Sequence, residues 1–364
     1  MSDRVTWIAN GNLITPRGTI RGAAGIQGGR IVDLRPRPAA GSARINVRGA
    51  YIAPGLIDLH IWGDPSRVAR EEVRYGTTGF LTAIGPEPPE LLVNRLVRLE
   101  RLPEGRGARC LGVHLEGPFL NPIRAGALAS RWLRPPTSRE VRQLVRAAGE
   151  RLRLVTLAPE IPRGLQAVRW LTRHQIVVAI GHSDADAEMT QRAIQAGARA
   201  VTHVYNGMRP LHHRDPGLLG EVLTEDRLMA MAIVDGVHVD PVAFQLLMRC
   251  KGPDQVILVT DSIRHQAQRP PSSGGAYYAR PGVLAGSRLT MIGAVRNAVR
   301  FGRLSVEEAV RMASLNPARL LGRDQQLGSL TVGKQADVVV FNQRFQVTMT
   351  FMNGALVYQR KRSN

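Results

Sequence analysis

A closed (β/α)₈ barrel carrying a small β-sandwich built from both termini is the fold this sequence predicts, and three observations predict it. Between about residues 55 and 320, short apolar runs alternate with amphipathic stretches, the rhythm of repeated βα units. Both ends instead alternate apolar and polar residues around Gly and Asn turns. At 364 residues, 44% hydrophobic and 21% charged, the chain is long enough for one large core and an appendage.

The N-terminal stretch "RGTIRGAAGIQGGRIVDL" (17–34) has the patterning of hairpin strands. Eight apolar runs follow: "GLIDLH", "TTGFLTAI", "CLGVHLEGPF", "LRLVTLAPE", "IVVAIGHS", "AVTHVYNG", "LMAMAIVDGVHV" and "QVILVTDS". Near-continuous apolar character suits strands buried on both faces, and eight of them fit a barrel of ordinary length. Thr137-Ser138-Arg139-Glu140 and Ser305-Val306-Glu307-Glu308 each read as a capping box opening an amphipathic helix. "LGSLTVGKQADVVVFNQRFQVTMTFMNGALVY" (327–358) returns to hairpin patterning. Neither end makes a core alone, so residues 1–53 and 327–364 are expected to share one sandwich, with 54–326 forming the barrel.

The net charge is +20, from 49 basic and 29 acidic residues, and Lys251, Lys334 and Lys361 are the only lysines. The arginines are scattered rather than striped. Aromatics are 5%, with no aromatic–basic interleaving, so nucleic acid is not an expected partner. An anionic small substrate fits the charge. Met1 to Asn10 carries no apolar leader, and no run approaches the roughly 18 apolar residues of a membrane span. A cytoplasmic protein without membrane contact is expected. Cys110 and Cys250 are too few for a disulfide framework and read as buried thiols.

Reactive side chains of a (β/α)₈ barrel project from the C-terminal ends of its strands. The residues closing the runs are therefore the candidates: His60, Glu116, His182, His203, His238 and Asp261. A catalytic zinc takes three protein ligands, and one Glu with two His leaves a position open for water. Glu116, His182 and His203 supply that set, so one divalent ion per chain, zinc, is expected. "APGLIDLHIWGDP" (53–65) ends in His60 but shows Trp62 where a second imidazole would help grip a further ion. His60 reads as an orphan ligand, a donor behind the ligands, or a packed ring.

"HLEGPFLNP", "TLAPE", "GHSDAD", "THVYNGMRPLHHRDPGLLG", "DGVHVD", "VTDS" and "LAGSRLTM", in this order, resemble the amidohydrolase superfamily and, within it, the N-acetylglucosamine-6-phosphate deacetylase family. The resemblance spans nearly the whole chain. It implies Glu116, His182 and His203 as metal ligands and Asp261 as the catalytic residue, which takes a proton during attack by water and delivers it to the departing amine. It also implies that His238, Asn206 and Gly207 contact the sugar phosphate. Arg214 matches an arginine offered to the phosphate across a homodimer interface, a role suited to a guanidinium fork. The implied reaction converts N-acetylglucosamine-6-phosphate and water to glucosamine-6-phosphate and acetate, in amino-sugar catabolism or recycling. Two-metal members of the superfamily end the first strand in His-x-His, so "HIW" implies a one-metal site. The fourth run contains no lysine, which argues against the carboxylated-lysine chemistry of hydantoinase-like and dihydroorotase-like members.

The chain departs from the family pattern at the barrel mouth. Leu128, twelve residues after Glu116, stands where the family carries a His, with His114 and His213 as the neighbours available to replace that donor. The connections after "HIWGDP" and after Asp261 are short. Loops at this face set substrate choice more readily than they alter the fold. The alternatives are thus a related substrate, such as N-acetylgalactosamine-6-phosphate or an unphosphorylated N-acyl sugar, and a non-catalytic sugar-phosphate-binding homologue.

Overall fold

A computed structural model describes residues 4–38, 42–99, 107–266 and 275–361. Every apolar run becomes a strand: Leu56–Ile61, Thr77–Ile84, Arg109–Glu116, Leu152–Leu157, Val177–Ile180, Ala200–Val201, Met229–Ala232 and Val256–Leu258. They lie in sequence order, each parallel to the next. Between the eighth and the first strand the ladder is short. Asp261 N–H donates to the His60 carbonyl (2.9 Å), and Trp62 N–H donates to that of Ser262 (3.0 Å). Beneath these bonds the buried Asp58 carboxylate accepts the Thr260 hydroxyl, which ties the eighth run to the first.

Side chains alternate across each strand. Ile57, Leu59, Leu81, Leu154, Met231, Ile257 and Val259 form one buried cluster in the barrel. Their neighbours, including Leu115, Val155, Val178, Val201 and Leu258, join a second with the surrounding helices. The helix Val306–Ala313 opens with the expected reciprocal capping box of Ser305 and Glu308. At Ser138–Ala148 only half of the box forms. Thr137 accepts from Glu140 N–H, but the Glu140 carboxylate turns to Arg134 (2.7 Å), a charged partner that outcompetes a backbone N–H.

The two ends of the chain build one β-rich unit. Its strands run in the order Ala355–Gln359, Val347–Met352, Val338–Phe341, Tyr51–Pro54, Thr6–Thr15, Gly18–Gln27 and Arg30–Arg35, with Arg44–Asn46 also paired to Thr6–Thr15. Gly28-Gly29 and Asn353-Gly354, all at positive φ, supply the two-residue hairpin turns. The register of the first strand breaks between Ile8 and Gly11, and the sheet curls until Arg30 bridges Gln335. Ile8, Ile31, Ile52, Val338 and Phe351 are buried inside that curl. The cysteines depart from expectation: Cys110 is half-buried, and Cys250 is exposed on the helix Pro241–Lys251. Among the described residues no helix is long and apolar enough to cross a membrane.

Candidate active site

Four of the expected residues meet just beyond the strand ends. Glu116 closes the third strand, while His182, His203 and Asp261 follow the fifth, sixth and eighth. The last three all have positive φ, at 47°, 30° and 47°. Non-glycine residues adopt that region at a cost of about 1 kcal/mol or more, and such outliers cluster at functional sites.

The ligand atoms of Glu116, His182 and His203 converge. Glu116 Oε1 lies 2.9 Å from His203 Nε2 and 3.2 Å from His182 Nε2, and the two Nε2 atoms are 3.1 Å apart. Each ring is oriented from behind. His182 Nδ1 donates to the Arg124 carbonyl (2.7 Å) and His203 Nδ1 to that of Asn206 (3.2 Å). A neutral ring that donates through Nδ1 keeps a bare lone pair on Nε2. Two such lone pairs and a carboxylate oxygen thus point at one another, an arrangement that needs a cation among them. Ligands about 2.05 Å from a tetrahedral zinc would stand about 3.3 Å apart, so the observed separations fit such an ion with small relaxation. Burial opposes the charge of Glu116, but His60, His182 and His203 outweigh it and hold its carboxyl well below the usual range. Burial likewise opposes charge on His182, and Glu116 overrides it to raise that imidazole.

Asp261 is engaged at one oxygen by a hydrogen bond and an ion pair. Trp62 Nε1 donates to Oδ1 (2.8 Å), and His60 Nε2 lies 3.1 Å from the same atom. No hydrogen bond or ion pair engages Oδ2 among the described residues, so the second oxygen is available for proton transfer. His60 is wholly buried and rests on His114, with the two Nδ1 atoms 2.7 Å apart. Burial and His60 push His114 well below its ordinary value. His114 Nδ1 lies 2.9 Å from the Leu59 carbonyl and its Nε2 2.7 Å from the Thr156 hydroxyl. Burial opposes charge on His60, but Glu116 and Asp261 override it and raise the imidazole to about 9, so Nε2 carries a proton facing Asp261 and, at 3.6 Å, Glu116 Oε2. Of the three sequence readings of His60, the donor behind the ligands fits these contacts. In the sequence Trp62 stands out only as a residue that cannot ligate a metal, which hides its role as a donor to Asp261. Its signal was the two-residue spacing from His60, which puts both side chains on one face of the strand.

The quartet opens into a cavity of about 380 Å³, lined also by Trp62, Leu128, Asn206, Gly207 and His238. That volume lies within the range of about 300–1,000 Å³ for small-ligand sites. His238 donates through Nδ1 to Asp235 (2.7 Å), which fixes its ring. Gly207 has φ +62°, and a Cβ there would stand 3.0 Å from His182 Nδ1, so only glycine lets this loop approach the ring. Arg214 lies outside the cavity on an exposed turn, its guanidinium 2.9 Å from His213. Neither expected substitute for Leu128 reaches the cavity. His114 is buried beneath the ligands and committed to its partners, and His213 sits on the exposed turn. Part of the connection after Asp261, residues 267–274, lies outside the described residues.

The sequence profile of the amidohydrolase family matches residues 51–357. The chain is 35% identical over 348 residues to an N-acetylglucosamine-6-phosphate deacetylase of Lysinibacillus sphaericus, covering 88% of this chain and 89% of that protein. It is 34% identical over 357 residues to an N-acetylgalactosamine-6-phosphate deacetylase of Escherichia coli O157:H7, covering 91% and 93%. In structure it is similar to an N-acetyl-D-glucosamine-6-phosphate deacetylase variant from Mycobacterium smegmatis in complex with N-acetyl-D-glucosamine-6-phosphate. The TM-score is 0.90 at 29% identity, over 97% of this chain and 99% of that one.

Proposed function

The chain belongs to the amidohydrolase family and, within it, to the N-acetylglucosamine-6-phosphate deacetylases, and on that premise we propose that it hydrolyses the acetamide of N-acetylglucosamine-6-phosphate to glucosamine-6-phosphate and acetate. The observation that carries the reading is the convergence of Glu116, His182 and His203 beneath a free oxygen of Asp261. Glu116, His182 and His203 would hold one divalent ion, zinc, which would supply a Lewis acid for the amide carbonyl and for water. Asp261 Oδ2 takes the proton of the attacking water and returns it to the leaving nitrogen. Trp62 and His60 keep Oδ1 turned away from that exchange. His238, Asn206 and Gly207 orient the sugar phosphate, and the protein's net charge of +20 favours an anionic substrate. Arg214, exposed and without a carboxylate partner among the described residues, reaches the phosphate of the partner subunit's substrate in a cytoplasmic homodimer. Residues 54–326 form the hydrolase barrel, and 1–53 with 327–364 the accessory domain.

The test is metal content together with acetate release on one purified sample, with and without added zinc. About one ion per chain and zinc-dependent turnover support the reading; bound ion without turnover on any N-acyl sugar phosphate sinks it. The E. coli relative and the apolar Leu128 favour N-acetylgalactosamine-6-phosphate as the second substrate to assay. A higher kcat/KM for it would reassign the sugar while keeping the chemistry.

A further inference from the structure

A second cleft, of about 630 Å³, lies between the barrel and the terminal β-rich unit and shares no lining residue with the catalytic cavity. We propose that this cleft binds a phosphorylated small molecule carrying two or more negative charges. Four exposed arginines line it: Arg288 just ahead of the helix Met291–Gly302, Arg296 on that helix, Arg74 ahead of the second barrel strand, and Arg360 just past the last strand of the chain. None of the four pairs with a carboxylate among the described residues. Arg296 contacts only the amide oxygen of its neighbour Asn297, at 3.0 and 3.2 Å.

The cleft does contain one carboxylate, Asp235, but that group is already engaged. Its Oδ1 accepts from the N–H groups of Val237 (2.8 Å) and His238 (2.7 Å), and its Oδ2 accepts from His238 Nδ1 (2.7 Å). It is not free to neutralise the arginines. Like charges gathered around a concave wall raise the potential inside it, and a bound anion relieves their repulsion. Guanidinium forks match phosphate oxygens two at a time, which makes arginine rather than lysine the suitable cation. The first turn of the twelve-residue helix Met291–Gly302, capped by Thr290, opens on the same space and adds the positive end of its dipole. Charges supplied from both the barrel and the terminal unit require a ligand with more than one anionic group. A monoanion would meet only one side.

Fructose 1,6-bisphosphate is a suitable probe, titrated calorimetrically into the metal-loaded enzyme. A single saturable site is expected. Arg288→Ala/Arg296→Ala and Arg74→Ala/Arg360→Ala should each weaken it about tenfold or more, since each removes charged hydrogen bonds. Arg142→Ala/Arg146→Ala, on an exposed helix elsewhere, should leave binding unchanged, and the cleft variants should keep wild-type kcat and KM when no bisphosphate is present. Circular dichroism melts report folding, and either cleft pair suffices if the other fails to fold. The proposal is overturned by the absence of saturable binding, or by an equal loss in the Arg142/Arg146 pair, which would mark a net-charge effect. It is also overturned if binding survives both cleft pairs and is competed away by N-acetylglucosamine-6-phosphate, which would locate the probe in the catalytic cavity.

Discussion

Trp62→Phe removes one hydrogen-bond donor from Asp261 and leaves an aromatic ring in its place. The lost contact, 2.8 Å from indole nitrogen to carboxylate oxygen, belongs to the charged class worth about 1.5–3 kcal/mol. His60, 3.1 Å from the same oxygen, remains, so the carboxylate is loosened rather than released. A net loss of about 1–2 kcal/mol in the transition state corresponds to a fall in kcat of about 5- to 30-fold. The KM should hold, because Asp261 is assigned to proton transfer and not to binding the sugar. Metal content should hold as well, since Trp62 touches none of the three ligands. The six-membered ring of Trp62 packs close to Gly85 and near Leu128, so some loss of melting temperature is expected whatever the role of the N–H. A double-mutant cycle separates the two effects. Asp261→Asn should cut acetate release by orders of magnitude while retaining metal, and adding Trp62→Phe to it should change the residual rate little, because the indole acts through that carboxylate. An unchanged kcat in Trp62→Phe, or the same fold-loss with and without Asp261, would refute the positioning role.

Arg214→Ala should raise KM for the phosphorylated substrate and leave an unphosphorylated N-acetyl sugar unaffected; equal effects on both would contradict a phosphate contact. Gly207→Ala would put a methyl group 3.0 Å from His182 Nδ1 at φ +62°, displacing the ring and weakening metal retention by about 10- to 100-fold, measured as metal content after graded dialysis. Burial pushes Asp58 up from 3.8 to about 7, against the opposing hydrogen bonds from Thr260 and His60. The folded state then holds this proton more tightly than the unfolded one. Its contribution to stability is fully present near pH 4 and is lost as pH rises to about 7, by roughly 4 kcal/mol at most. Relative to wild type, Asp58→Asn should gain stability across that window in denaturant melts; parallel pH profiles would show that Asp58 does not titrate there.

The barrel was legible because its strands are buried on both faces and so appear as apolar runs of their own. The curl of the terminal unit was not, because it depends on a bulge near Asn10 and on the Arg30–Gln335 bridge, long-range pairings that local alternation does not encode. The sixth strand shrinks to Ala200–Val201 although its run continues through Val204. The backbone leaves the sheet there to put His203 into a left-handed conformation, and hydrophobicity does not record that turn. At the site, strand-end position marks His60, Glu116, His182, His203, His238 and Asp261, and the donor set then narrows the metal ligands to Glu116, His182 and His203. Trp62 and His114 were missed as working parts for a common reason. Their contributions are an N–H and a buried ring contact, and both are set by partners more than fifty positions away in the sequence.

The same geometry explains how the chain can carry Trp62 and Leu128 at the barrel mouth and still assemble the site. Each strained residue is clamped by main-chain bonds as well as by its side chain. His182 accepts from Asn121 N–H (3.0 Å) and His203 from Asn206 N–H (2.9 Å), while Asp261 donates to His60 and accepts from Ser287 N–H, both at 2.9 Å. Backbone clamps do not depend on which side chains line the mouth. Trp62 and Leu128 can therefore stand at the mouth without releasing the quartet. What they alter is the wall that meets the acyl sugar, an indole and an isobutyl group beside Gly85. Divergence at these two positions should consequently appear in substrate preference before it appears in metal affinity, because the ligands are oriented by the Arg124 and Asn206 carbonyls and the acyl group is not.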